Sequence, residues 1–100
     1  MYAQGQGVPQ DYAESLKWFR KAADQGDALA QSGLALMYQQ GQGVPQDYVQ
    51  AHKWFNLAAS RETDTKRRDL FARSRDVIAG KMTPEKVAEA QRLAREWKPK

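Results

Sequence analysis

The sequence predicts an all-α protein, an α/α superhelical repeat solenoid of about four helices, and three observations predict it. First, residues 1–24 and 37–60 are identical at sixteen of 24 aligned positions, at an offset of 36. A period in the thirties belongs to arrays of helix pairs. Second, apolar residues recur at spacings of three and four along most of the chain, the mark of a helix with one buried face. Third, glycine and proline cluster between those stretches, at Gly26, at Gly41-Gln42-Gly43-Val44-Pro45 and at Gly80, where helices must stop.

The repeat is read block by block. Met1-Tyr2 matches Met37-Tyr38, and Gly5 to Tyr12 recurs unchanged as Gly41 to Tyr48. Lys17-Trp18-Phe19 returns as Lys53-Trp54-Phe55, and Ala22-Ala23 as Ala58-Ala59. Asp47 is placed to cap a helix, with Gln50 as its reciprocal partner; Asp11 and Glu14 repeat the arrangement. In that helix Tyr48, Ala51, Trp54, Phe55 and Ala58 form one apolar stripe, matched in the first copy by Tyr12, Ser15, Trp18, Phe19 and Ala22. Gly26 suits a left-handed helix end, and Asp27 can cap the helix that follows, from about Ala28 to Gln40. This helix has two apolar faces. Ala28, Gln31, Leu34, Ala35 and Tyr38 form the one expected to pack within the repeat; Leu29, Ser32, Leu36 and Gln39 form the other.

Beyond Ala59 the pattern changes. Thr63 or Asp64 can cap a longer helix to about Ala79, with Leu70, Phe71, Ser74, Val77 and Ile78 placed inward. Thr83-Pro84 starts the last helix, the threonine as cap and the proline in the first turn. Val87, Ala90, Leu93, Ala94 and Trp97 then repeat the stripe. The chain thus divides into a partial first repeat (1–26), a second repeat (27–62) and a divergent capping repeat (63–100). A divergent terminal unit suits a repeat array.

Composition narrows the chemistry. There is no cysteine and a single histidine, His52, so disulfides, thiolate chemistry, histidine clusters and catalytic triads are not expected. No apolar run approaches the length of a membrane span, and the first residues lack the basic start and apolar stretch of a signal peptide. The net charge of +4 is uneven: residues 1–60 carry −1 and residues 61–100 carry +5.

The segment from Asp27 to Tyr38, followed by the Gly-Gln-Gly-Val-Pro-Gln-Asp-Tyr loop and Lys53-Trp54-Phe55, resembles the Sel1-like repeat family, which is related to tetratricopeptide repeats. The resemblance is strong over residues 1–60. Met82-Thr83-Pro84-Glu85 through Trp97 is similar to a C-terminal ending of bacterial members. The resemblance implies right-handed stacking of antiparallel helices and an adaptor that assembles protein complexes, often in bacteria and often exported. Two positions depart from the family pattern, Ala35 and Glu62, where the family usually has glycine at or near the position. The first unit lacks most of its first helix, so a piece of a longer array is expected.

Candidate sites follow from these readings. The Gly-x-Gly loops lack the Lys and Ser/Thr of a phosphate-binding loop and are read as structural. His52, beside Lys53, is read as a surface residue. The carboxylates are read as caps and charge partners, Asp69 with Arg73 and Arg92 with Glu96. Trp18, Trp54 and Trp97 are assigned to the helix-packing core. No catalytic residue, cofactor or metal is expected, and no enzymatic activity. The favoured function is a scaffold that takes a partner protein or peptide on a groove lined by Leu29, Ser32, Leu36 and Gln39. The alternative is nucleic-acid or anionic-surface binding by Arg61, Lys66, Arg67, Arg68, Arg73 and Arg75, although interleaved Asp64, Asp69 and Asp76 weaken it. The N-terminal stripe should be covered on one flank only, which predicts self-association through Tyr12, Trp18 or Phe19.

Overall fold

The structure, a computed structural model, describes residues 12–100. Five helices form among the described residues: α1 (Tyr12–Asp24), α2 (Ala28–Gln40), α3 (Tyr48–Arg61), α4 (Thr65–Ala79) and α5 (Pro84–Glu96). The architecture is the expected helical repeat, with one helix more than the expected count of about four.

The starts of α2, α3, α4 and α5 are each fixed by a side chain that accepts an otherwise unpaired backbone N–H. Asp27 accepts from Ala30 at 2.9 Å, Asp47 from Gln50 at 3.1 Å, Asp64 from Arg67 at 2.9 Å and Thr83 from Lys86 at 3.2 Å. The reciprocal half of the expected box at Asp47 does not form. The Asp47 N–H is instead donated to the Tyr38 carbonyl at 3.0 Å, which ties the loop back to α2. The matching cap at Asp11 lies outside the described residues.

Two glycines close the helix ends that need a left-handed residue. Gly26 has φ +99° and Gly41 φ +69°, conformations that a side chain strains. Gly41 donates its N–H to the Met37 carbonyl, and Gly26 donates to Ala23 at 3.0 Å. Gly80, by contrast, has an ordinary right-handed conformation.

The core sits around α3, which packs against α2, α4 and α5. Because three helices surround it, α3 buries most of its circumference: Ala51, His52, Trp54, Phe55, Leu57, Ala58 and Ala59. Leu34 and Ala35 of α2, Phe71 and Ile78 of α4, and Ala94 of α5 complete the cluster. The first helix packs only on α2 among the larger helix contacts, and Ala23 is its one fully buried residue.

Three sequence expectations are corrected by this arrangement. His52 is buried, at 2% exposure, because α4 covers the side of α3 that a single-stripe reading leaves to solvent. Leu70 and Val77 are outside α4, at 55% and 60% exposure, while their neighbours Phe71 and Ile78 take the inward positions. Trp18 is 64% exposed although its repeat twin Trp54 is 3% exposed.

Candidate functional site

The helix α2 has one closed face and one that is open only in part. Gln31, Leu34 and Ala35 are fully buried, and the Gln31 amide donates to the Ala23 carbonyl at 3.1 Å, locking α2 to the end of α1. On the other side Leu29 and Leu36 are 55% and 45% exposed. The four groove candidates are not equally available. Ser32 is buried, with its hydroxyl turned to the Leu29 carbonyl at 2.7 Å. Gln39 is half-buried, and its carbonyl accepts from the Gln46 amide at 2.8 Å.

Leu36 instead joins residues of α1. A cleft of about 380 Å³ opens between the two helices, lined by Tyr12, Ser15, Phe19, Gly33, Leu36 and Met37 among others. Gly33 is what lets its walls meet. A Cβ there would stand 2.8 Å from the Phe19 ring, so only glycine admits the ring this close to the α2 backbone. The contribution of Phe19 and Tyr12 to this cleft was legible as an open apolar flank, but not its pairing with Leu36. Trp18 lies beside it on α1, its indole N–H donating to the Glu14 carboxylate at 3.0 Å, with the Lys21 ammonium 6.0 Å from its ring.

The six basic candidates divide. Arg61 is committed internally: its Nε donates to the Gly26 carbonyl at 2.8 Å, and its guanidinium lies 5.5 Å from the Trp97 ring. Trp97 meets Trp54 edge-on at 6.2 Å, and the Lys100 N–H reaches the Asp24 carbonyl at 2.7 Å. Arg67 pairs with the buried Glu62 at 3.3 Å. The Asp64 N–H and this guanidinium hold the Glu62 carboxyl below its usual range, and Glu62 in turn raises Arg67. Arg75 bridges Asp76 at 3.1 Å and Asn56 at 2.9 Å. Lys66, Arg68 and Arg73 make no ion pair among the described residues. Arg92 and Glu96 pair as expected at 3.1 Å, whereas the expected Asp69–Arg73 pair is not formed.

Besides Glu62, His52 is a second buried titratable group. Its Nδ1 has no hydrogen-bond partner, and burial, then the Arg75 charge, pushes its pKa below 6.5, with Asp76 opposing. Lys53 is also lowered, first by burial, and its ammonium rests 4.3 Å from the Trp54 ring centre. Among the described residues, no group of three or more His, Cys, Asp or Glu side chains is placed to hold a metal ion. No described helix is long and apolar enough to cross a membrane.

Five helices among the described residues, a 36-residue internal repeat and an open cleft between successive units define a helical-repeat fold. The family model for the Sel1 repeat matches residues 1–27 and 28–62, and the chain belongs to the Sel1 repeat family, whose members commonly serve protein–protein interaction. A solved structure is similar: the crystal structure of a protective antigen present in uropathogenic Escherichia coli strains, displaying an SLR fold. It shares 36% identity with a TM-score of 0.81 over 94% of this chain. The chain spans 19% of the length of that structure. No curated protein matches the chain.

Proposed function

We propose that this chain is a protein-interaction scaffold that takes a partner protein or peptide in the cleft between α1 and α2. The observation that carries the reading is Leu36 beside Phe19 and Gly33: apolar side chains left in solvent at the edge of a preformed cavity. A rigid, prebuilt surface saves the partner's binding site the cost of ordering itself. Leu29 extends the apolar strip along α2, whereas Ser32 and Gln39 form its flank. In the same reading residues 63–100 serve as the capping unit of the array.

The alternative, binding of nucleic acid or an anionic surface by the basic group, has less support. Three of its six members, Arg61, Arg67 and Arg75, are already engaged by partners within the fold, Gly26, Glu62 and Asn56. The open flank at Tyr12, Trp18 and Phe19 supports a second use of the same surface, in which two copies of the chain cover each other at high concentration.

Leu29→Glu with Leu36→Glu tests the scaffold reading. Both side chains are exposed, so far-UV circular dichroism should keep the helical signal while capture of partners from the source cell is lost. A collapse of helicity would assign this face to the core and sink the reading.

A further inference from the structure

The outer face of α4 carries a second surface, on a helix separate from the cleft. Lys66, Leu70, Arg73 and Val77 follow one another at spacings of four, three and four, which stacks them in one narrow strip of helix surface. Leu70 and Val77 are more than half exposed, and Lys66 and Arg73 are exposed as well. The strip cannot roll inward, because Phe71 and Ile78, about 100° further round α4, are pinned into the core.

We propose that this strip docks an acidic amphipathic helix, with carboxylates facing Lys66 and Arg73 and apolar side chains seated on Leu70 and Val77. Charge complementarity selects the partner. Lys66 and Arg73 are without ion pairs among the described residues, while Arg67 and Arg75 are taken by Glu62 and Asp76. Two acids stand along one edge of the strip. Asp76 is held by Arg75 at 3.1 Å, which leaves Asp69 to favour one orientation of the incoming helix. A nucleic acid would satisfy the cations and leave Leu70 and Val77 in water. An uncharged apolar helix would do the reverse and leave the cations unpaired. Only a partner with both chemistries, repeated at helical spacing, uses all four side chains.

The test is fluorescence anisotropy with a labelled synthetic helical peptide carrying leucine and glutamate at alternating three- and four-residue spacings. The wild-type chain should bind it, more weakly as salt rises. Lys66→Glu with Arg73→Glu should weaken binding about tenfold, since two favourable charge pairs become repulsive. Leu70→Ser with Val77→Ser should weaken it comparably. Lys86→Glu with Arg95→Glu, the same change of net charge placed on α5, should leave it unchanged. A peptide with lysine in place of glutamate should bind the Lys66→Glu, Arg73→Glu variant better than the wild type. Circular dichroism of each variant checks that the helices are intact. The proposal is overturned if a scrambled peptide of the same composition binds equally, or if the leucine–valine variant binds as wild type. Tighter binding of a single-stranded oligonucleotide, or of phosphatidylglycerol vesicles, through the same residues would overturn it too.

Discussion

Trp18 and Trp54 occupy the same position of the same repeat and should respond oppositely to truncation. Trp54 is buried, with the Trp97 ring set edge-on to it at 6.2 Å between ring centres and the Lys53 ammonium at 4.3 Å. Removing a buried tryptophan leaves a cavity and costs about 3–5 kcal/mol. One effect offsets this: the Trp54 indole N–H is buried without an acceptor, and removing an unsatisfied donor returns about 1 kcal/mol. The net loss for Trp54→Ala is therefore about 3 kcal/mol, or roughly 10–20 °C in Tm for a domain of this size. Trp54→Phe keeps most of the ring and drops the orphan donor, so it should stay within about 1 kcal/mol of wild type. Trp18→Ala loses only an exposed ring and a surface hydrogen bond to Glu14, and should cost less than about 0.5 kcal/mol. Urea and thermal melts followed by circular dichroism measure all three. Equal losses for Trp18→Ala and Trp54→Ala would refute the assignment of α3 as the central helix. So would equal access of iodide to the two indoles in the single-tryptophan variants.

Two further outcomes follow from the same geometry. His52 is neutral in the fold and its pKa is lowered, so the unfolded chain binds the extra proton: stability is full above the unfolded value of about 6.5 and falls as pH drops through 6.5 toward the lower folded value. Urea midpoints between pH 7.5 and 5.5 should decline for wild type and stay flat for His52→Leu; parallel slopes would show that His52 is solvated. Gly26→Ala must place a side chain at φ +99° and 2.6 Å from the Arg61 guanidinium, costing about 2 kcal/mol, whereas Gly80→Ala meets nothing closer than a carbonyl at 3.4 Å and should gain about 0.4–1 kcal/mol. Shifts of the same sign in the two urea midpoints would contradict the backbone assignment.

The helices were legible because caps, glycine stops and apolar spacing are local signals. Asp27, Asp47, Asp64 and Thr83 cap where their positions imply. What the local pattern could not supply is the number of neighbours each helix has. A stripe calculation assigns one buried face, and α3 has neighbours on three sides, so His52 falls inside. The adjacent pairs Leu70–Phe71 and Val77–Ile78 fit the helical period equally well, and only packing against α3 decides which member turns inward. Trp18 and Trp54 share the sequence Lys-Trp-Phe yet differ in exposure, because α5 and Trp97 cover only the second. The candidate cleft was half legible: Leu36 stands out by its spacing, but Phe19 joins it through Gly33, a contact across helices that no run of sequence displays.

The contacts at residues 24–26 change how this array should come apart. In a repeat protein each unit touches its neighbours only, so units near one end can open without the rest. Here the Lys100 N–H is bonded to the Asp24 carbonyl and Arg61 to that of Gly26, while Trp97 bridges Arg61 and Trp54. The turn between α1 and α2 is thus shared by two distant segments, the end of α3 and residues 97–100, and the linear chain of neighbours is closed into a loop. Releasing residues 97–100 frees that turn as well, and loosening the turn removes their anchor. Partial opening from the α5 side is therefore penalised twice, and unfolding is pushed toward a single cooperative step. In hydrogen exchange, the Lys100 amide should open with the free energy of the α1–α2 turn rather than that of a fraying tail.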